Sequence, residues 1–417
     1  MLRSVKNMLT MILAGGRGER LYPLTVDRAK PAVPFGGKYR IIDFTLSNCI
    51  NSGLRNMIVL IQYKSHSLDR HIRRGWNIFN PEVGEYIFSL PPQQRISQDW
   101  YRGTADAVRQ NWFIVEDKQP EFLLILAGDH IYKMNYKDMH SFFQQKQADV
   151  VVGAIASPLA EASSFGVMAV DGNDQITRWD EKPAQPAPMP SDPTRALCSM
   201  GIYLFRTSTL RARLFTDADK DSAHDFGKDI LPSMIGTHRV FAYNFHDENR
   251  KAVQYWRDVG TLDAYWEANM DLVSVEPLCN LYDQQWPIRT YQGQYPPAKF
   301  VFAEEQANGG RMGMALDSIV SGGCIISGGR VWNSVLSPNV RVNDYAEVSQ
   351  SILMEDVVIG AYCSIRKAII EKGLVIPPKT DIGYDLEADR ARFTVTESGI
   401  VAVGKNMKLD GQASQPS

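Results

Sequence analysis

Cysteine is scarce: Cys49, Cys198, Cys279, Cys324 and Cys363 are the only five in 417 residues, and no two form a CxxC pair. An odd, scattered set argues against a disulfide framework and against a zinc knuckle. Reduced thiols in a cytoplasmic protein are expected instead. Long hydrophobic runs are missing as well, since stretches such as Phe122 to Ala127 fall far short of the roughly 20 residues that span a membrane. No membrane crossing is expected. Charge of one sign is also absent: 45 Lys plus Arg face 47 Asp plus Glu, for a net charge of -2. Without a charged tail the chain does not read as a nucleic-acid binder. Arg3 and Lys6 ahead of Met8 to Ala14 imitate a signal peptide, but Thr10 interrupts the run and Gly15 to Arg20 stand where a cleavage site should be. A buried first strand is the better reading.

What is present suits a folded chain of two or three domains, with 44% hydrophobic residues. Four short apolar runs lack polar alternation, as strands covered on both faces do: Met8–Ala14, Met57–Gln62, Phe122–Ala127 and Val150–Ile155. Between them Arg40–Ile50, Ser65–Arg74, Ala105–Glu116 and Tyr136–Gln147 carry apolar residues at helical spacing. The pattern predicts an α/β domain with a mixed, mostly parallel sheet over residues 1–275. Five prolines between Pro183 and Pro193 predict an extended loop, and a helix is expected from Thr261 to Ser274. The aperiodic stretch 276–305, with Trp286, Pro287, Pro296 and Pro297, reads as a connector.

From 306 to 417 the chain repeats itself. Segments starting at Asp317, Asn333, Gln350 and Lys367 align position by position. Ile319, Val335, Ile352 and Ile369 match, as do Ile326, Val342, Ile359 and Ile376, while Cys363 and Ile365 mark a third apolar pair. Short inward-facing strands at this constant period predict a parallel β-helix, whose coils bury their aliphatics only by stacking. An antiparallel sandwich is the alternative.

Chemistry gathers at strand ends. The first strand runs into Gly15-Gly16-Arg17-Gly18-Glu19-Arg20-Leu21, a glycine-rich turn at the carboxyl end of a strand, where phosphates bind in α/β folds. Leu21 occupies the last glycine position of GxGxxG, and Ala32 the first glycine position of a P-loop ending at Gly37-Lys38, so neither common nucleotide loop is present. Arg17, Arg20 and Lys30 are candidate phosphate cations. Phe122 to Ala127 ends in Gly128-Asp129-His130, and Asp258 stands 129 residues later, ahead of a predicted helix. Beside a triphosphate a carboxylate calls for a hard divalent ion, which makes both aspartates candidate Mg²⁺ ligands. A helix N-cap is the alternative for Asp129, and a structural histidine is the expectation for His130. Glu181-Lys182 pairs an acceptor for sugar hydroxyls with a cation for a phosphate.

Taken together, these segments resemble sugar-nucleotide pyrophosphorylases, and most closely the bacterial glucose-1-phosphate adenylyltransferases. The resemblance spans nearly the whole chain. It rests on Leu13-Ala-Gly-Gly-Arg-Gly, Arg28-Ala-Lys-Pro-Ala-Val, Phe35-Gly-Gly-Lys with Arg40-Ile-Ile-Asp-Phe, Trp100-Tyr-Arg-Gly-Thr-Ala-Asp-Ala, Ile125-Leu-Ala-Gly-Asp-His-Ile-Tyr, Phe165-Gly-Val-Met, Asp225-Phe-Gly-Lys-Asp and Tyr255-Trp-Arg-Asp-Val-Gly-Thr. It implies a Rossmann-like nucleotidyltransferase domain, a left-handed parallel β-helix for assembly and regulation, and a homotetramer. It also implies that ATP and α-glucose 1-phosphate give ADP-glucose and pyrophosphate, with Mg²⁺, for glycogen synthesis. By motif, Gly15 and Gly16 fall in the nucleotide turn, and Tyr101, Gly166, Glu181, Lys182 and Ser199 match positions that hold the nucleotide sugar, with Lys182 on glucose 1-phosphate. Asp129 and Asp258 match metal ligands, and Arg20 and Lys30 match the charge-balancing cations at the reacting phosphates.

Three other functions compete. Acyltransferases on β-helices generally need a coil histidine, and all seven histidines here lie at or before His246. A non-catalytic regulatory subunit would have lost residues such as Arg20, Lys30, Asp129, Lys182 and Asp258, and all remain. An enzyme for UTP or dTTP is not distinguished by these motifs. Regulation is expected to involve an anionic small-molecule effector at Arg28 and Arg40. The enteric pattern of this family has a lysine before Arg-Ala-Lys and a histidine after Pro-Ala-Val, where this chain has Asp27 and Pro34. Weak activation by fructose 1,6-bisphosphate is the resulting expectation.

Overall fold

The computed structural model describes residues 7–16, 18–93, 100–304 and 310–407, so Arg3, Lys6 and Arg17 lie outside the described residues. Within it the chain forms two compact units: residues 7–16, 45–128 and 133–250 make the first, and 18–44, 129–132 and 251–407 the second.

The first unit is built on a nine-stranded mixed sheet. Its strands are β1 (Met8–Leu13), β2 (Asn56–Leu60), β3 (Tyr86–Leu90), β4 (Phe122–Ala127), β5 (Val150–Pro158), β6 (Gly166–Val170), β7 (Ile176–Glu181), β8 (Arg195–Arg206) and β9 (Val240–Asn244). β3, β2, β1 and β4 run parallel in that order, with Leu13 beside both Leu60 and Ala127. β8 then joins antiparallel to β4, β5 and β6. The four apolar runs expected as strands are all strands. β8 escaped notice because Ser199 and Gly201 interrupt its apolar pattern, and the register of its pairing with β5 shifts between Ser199 and Tyr203. Gly201 takes a left-handed φ of 68° there, which glycine adopts without steric cost.

Among the described residues the α-helices of seven residues or more are α1 (Ile41–Asn51), α2 (His66–Gly75), α3 (Thr104–Gln110), α4 (Trp112–Lys118), α5 (Tyr136–Gln145), α6 (Thr207–Ala218) and α7 (Leu262–Leu272). The single helix expected over Ala105–Glu116 is broken at Asn111. Its amide donates to Ala107 O at 2.8 Å and to the Tyr101 hydroxyl at 2.9 Å, drawing the side chain back onto the preceding turn. No described helix is long and apolar enough to cross a membrane. All five cysteines are free and buried.

The second unit holds the repeat. Three stacks of short parallel strands run through it, and the aligned positions pair in register. Ile319, Val335, Ile352 and Ile369 form one row. Ile326, Val342, Ile359 and Ile376 form a second. Val331, Val348, Ile365 and Ile382 form a third. This is a parallel β-helix, and the sandwich alternative is excluded because sandwich pairing is antiparallel. Lys299–Val301, within the stretch read as a connector, already pairs in parallel with Ile325–Ser327. Asp317, Asn333, Gln350 and Lys367, the residues that open each repeat, all turn the chain with φ between 43° and 50°. The second row is fully buried. At about 25 cal/mol per Å², each such side chain contributes roughly 1.5 to 3 kcal/mol.

Candidate active site

Two groups of side chains stand at strand ends, one in each unit. In the first unit, β1 and β4 end side by side, and Gly128 N donates to Leu13 O at 3.0 Å. Gly15 follows in a tight place, where a Cβ would sit 3.0 Å from the Gln62 Cβ. At Gly16 a Cβ would meet nothing within 4 Å, so the backbone faces open space. Gln62 reaches on to the Tyr101 carbonyl at 3.4 Å. Burial pushes the Tyr101 phenol up, and the bond from Asn111 opposes the shift, so the hydroxyl stays protonated at neutral pH.

Gly166, Glu181, Lys182 and Ser199 come together across β6, β7 and β8. Glu181 is opposite Gly166 in the β6–β7 pair. A Cβ on Gly166 would lie 2.6 Å from the Trp179 ring and 2.9 Å from Glu181 Oε2, which is why the position takes glycine. Burial raises the Glu181 carboxyl; Lys182 works against this and Asp225 adds to it. Lys182 turns away from the strand with φ 49°, and its N–H donates to Phe165 O at 3.1 Å. Ser199 lies one residue beyond the Cys198–Val167 pair, in the direction of Gly166. The sequence reading did not see that Gly227 closes this group: a Cβ on it would fall 2.4 Å from Glu181 Oε2. Only the quoted Asp225-Phe-Gly-Lys segment hinted at that.

In the second unit, His130–Tyr132 and Trp256–Asp258 form a two-stranded antiparallel ribbon with Asp258 opposite His130. That ribbon brings Asp129 and Asp258 together across 129 residues. No helix follows Asp129, so the N-cap alternative falls. Asp258 does not cap α7 either, because Thr261 Oγ1 accepts from Ala264 N at 3.2 Å. Lys30 Nζ lies between the carboxylates, 2.6 Å from Asp258 Oδ1 and 3.0 Å from Asp129 Oδ2. Burial lowers the Lys30 pKa, but both aspartates outweigh it and hold the ammonium above its ordinary value. Burial likewise raises Asp129, yet Lys30 and His130 bring it down to about 2. The Asp129 carboxylate is therefore ionised at neutral pH, as a ligand must be.

His130 Nε2 is 3.5 Å from Asp129 Oδ1 and 3.9 Å from Asp258 Oδ1, and its ring packs edge-on against Trp256 at 5.0 Å. One ligand atom from each of Asp129, His130 and Asp258 lies within 4.8 Å of the others. Two carboxylates converging beside an imidazole fit a divalent metal. Arg20 borders the same group: a Cβ on Gly260 would sit 3.0 Å from Arg20 Nη2 and 3.2 Å from both Asp258 oxygens. Arg20, Lys30, Asp129 and Asp258 thus converge. His130 is the member that sequence reasoning set aside.

The two residues assigned to an effector lie elsewhere in the second unit. Arg28 is buried, and its Nη2 donates to Glu371 Oε1 at 2.7 Å. Arg40 Nη1 donates to Ala32 O at 2.9 Å. Lys405 stands 3.7 Å from Asp27. Burial, together with Arg28, Lys405 and Arg40, lowers the pKa of Lys372, and Glu355 opposes. Four cations, Arg28, Arg40, Lys372 and Lys405, therefore gather near the carboxylates of Asp27, Glu355 and Glu371, and no sequence motif singled out the two lysines.

Residues 9–275 match the family described as Nucleotidyl transferase. Residues 296–403 match the GlmU-like, C-terminal hexapeptide family. The chain is 57% identical over 413 residues to the glucose-1-phosphate adenylyltransferase of Rhodopirellula baltica, covering 98% of this chain and 92% of that protein. It is 54% identical to the glucose-1-phosphate adenylyltransferase of Methylococcus capsulatus, over 96% and 94% of the two chains. The same-named protein of Koribacter versatilis is 56% identical, over 96% of each. The chain belongs to the glucose-1-phosphate adenylyltransferase family. In that family frame the hexapeptide match agrees with a left-handed β-helix for the second unit's coils. The strand-end residues then belong to a nucleotidyltransferase rather than to an acyltransferase carried on the β-helix.

Proposed function

We propose that the protein joins ATP and α-D-glucose 1-phosphate to give ADP-glucose and pyrophosphate, in the cytoplasm, as a step of glycogen synthesis. The observation that carries this reading is Lys30 held between Asp129 and Asp258 with Arg20 beside them, because adenylyl transfer needs these charges at one point. A phosphate oxygen of glucose 1-phosphate attacks the α-phosphorus of ATP, a new P–O bond forms, and the bond to pyrophosphate breaks. That oxygen is already anionic at neutral pH, so no general base is required. Asp129 and Asp258 would hold Mg²⁺, which when bound supplies positive charge to the phosphate oxygens. Arg20 and Lys30 neutralise charge at the reacting phosphates, each worth on the order of 10² to 10³ in rate by analogy with other preorganised donors. Lys182 takes the sugar phosphate, Glu181 accepts from sugar hydroxyls, and Gly15, Gly16, Tyr101, Gly166 and Ser199 shape the nucleotide-sugar site.

On this reading residues 1–275 are catalytic, the connector runs from 276 to the first β-helix strand at Lys299, and the β-helix that follows assembles a homotetramer. Assays with ATP, UTP and dTTP against glucose 1-phosphate test the reading, and preference for UTP or dTTP would overturn it. Asp129→Asn and Asp258→Asn should abolish turnover with the fold retained, as checked by circular dichroism. An anionic effector is the second element, supported by the gathering of four cations, Arg28, Arg40, Lys372 and Lys405, against three carboxylates, Asp27, Glu355 and Glu371. Asp27, paired with Lys405, opposes a bisphosphate there, so activation by fructose 1,6-bisphosphate should be weak and Asp27→Lys should strengthen it. Strong activation of the parent, unchanged by the substitution, would refute this role for Asp27.

A further inference from the structure

We infer that His224 is a positioning residue for the sugar-phosphate side of the reaction: anchored by Asp217, it fixes the left-handed turn that walls in Glu181. The inference rests on the adenylyl-transfer reading. His224 is buried and adopts φ 50°, a region in which a non-glycine residue persists only where its surroundings hold it. The surroundings do so. Its Nδ1 lies 2.7 Å from Asp217 Oδ2, on the last turn of α6, and 3.0 Å from Ser222 Oγ, which donates to Asp217 Oδ1 at 2.9 Å. Serine and aspartate meet the same ring nitrogen, so the trio is no relay for activating the serine. Such a relay needs the hydroxyl on the other nitrogen.

The held turn has two outputs. Backwards, the His224 carbonyl accepts Ala105 N at 2.9 Å and Asp106 N at 3.2 Å, satisfying two of the N–H groups that open α3 just after Tyr101. The approach is close enough that a Cβ on Gly103 would fall 2.3 Å from that carbonyl oxygen. Forwards, Asp225 Oδ2 accepts Thr104 Oγ1 at 2.8 Å, and Thr104 Oγ1 accepts Phe226 N at 3.0 Å. Asp225 Oδ1 accepts Gly227 N at 2.9 Å and Lys228 N at 3.2 Å. Gly227 then stands directly against Glu181. From the His224 ring to the Glu181 carboxylate the path is three residues of backbone, with hydrogen bonds on every side. Both ends of the turn thus touch segments next to proposed substrate contacts, Tyr101 on one side and Glu181 on the other.

Steady-state kinetics of the full chain in ADP-glucose synthesis test this. His224→Ala removes the donor to Asp217 and leaves alanine in a strained conformation. It should raise KM for glucose 1-phosphate about tenfold or more and KM for ATP less than about twofold. Asparagine tolerates the left-handed region and offers an N–H to Asp217, so His224→Asn should return the glucose 1-phosphate KM to within about threefold of the parent. Thr104→Val cuts the link to Asp225 and should show the same selective rise, which keeps the test intact if His224→Ala does not fold. Equal rises for both substrates, no rescue by asparagine, or parental kinetics in Thr104→Val would overturn the inference while the parent remains active. An inactive parent would overturn the transfer reading and this inference with it.

Discussion

Lys30→Met should destabilise the protein when divalent ions are withheld, and a divalent ion should restore most of what is lost. Lys30 Nζ sits 2.6 Å from one carboxylate oxygen and 3.0 Å from another. At an effective dielectric near 20, each contact is worth about 6 kcal/mol of Coulomb energy before the desolvation of the buried ammonium is subtracted. Removing one partner from such a buried arrangement typically costs about 3 to 5 kcal/mol, because the remaining charges stay uncompensated. The Asp129 side chain is 32% exposed, so solvent softens the repulsion and the lower figure is the better guide. For a unit of this size that is a melting-temperature drop of roughly 6 to 12 °C. Methionine keeps most of the buried aliphatic stem, so the loss reports charge rather than volume. A divalent ion bound at Asp129 and Asp258 would take over the neutralising role, and its stabilising effect should be larger in the variant than in the parent. Turnover should fall by about 10² to 10³. Thermal melts with chelator and with Mg²⁺, beside steady-state rates, decide the matter. A variant that melts within about 2 °C of the parent in chelator, or gains no more from Mg²⁺ than the parent does, would refute the argument.

Lys182→Ala should raise the glucose 1-phosphate KM far more than the ATP KM, since it removes a contact to one substrate, and equal rises would count against that placement. His140 is buried against Phe122 with neither ring nitrogen hydrogen-bonded, and burial pushes it below its ordinary 6.5 against a smaller opposing effect of Glu121. The unfolded chain therefore binds the proton first as pH falls, so stability should drop as pH goes below about 6.5, and His140→Leu should flatten that slope in melts between pH 5 and 7.5. In the β-helix, Ser351 Oγ accepts Ala368 N at 3.1 Å and donates to Ser349 O at 2.7 Å, so Ser351→Ala orphans a buried N–H. A loss of about 1 to 3 kcal/mol in denaturant unfolding is expected, and parental stability would show the hydroxyl ladder to be idle.

The β-helix was legible because each coil repeats the same short apolar pattern. Rows such as Ile319, Val335, Ile352 and Ile369 are neighbours in space because they are equivalents in sequence. The buried strands β1, β2, β4 and β5 were legible for a related reason: strands covered on both faces carry uninterrupted apolar runs. β8 carried no such signal, because its bulge at Ser199 and Gly201 breaks the run that its burial would otherwise write. The charged residues of the site could be named one at a time from their motifs, but their partners could not. A three-residue ribbon joins Asp129 to Asp258 across 129 residues, and nothing in a three-residue strand is periodic enough to announce its mate. Arg28 reads from sequence as half of a cationic pair with Arg40 for an anionic effector, whereas the fold buries it against Glu371, 343 positions away. Local pattern thus determined which residues are strand, coil or charge. Which charges meet, and which backbone must come close enough to require glycine at 166 and 227, was decided only when distant segments packed, since ion pairing and steric exclusion act over a few ångströms in space and not along the chain.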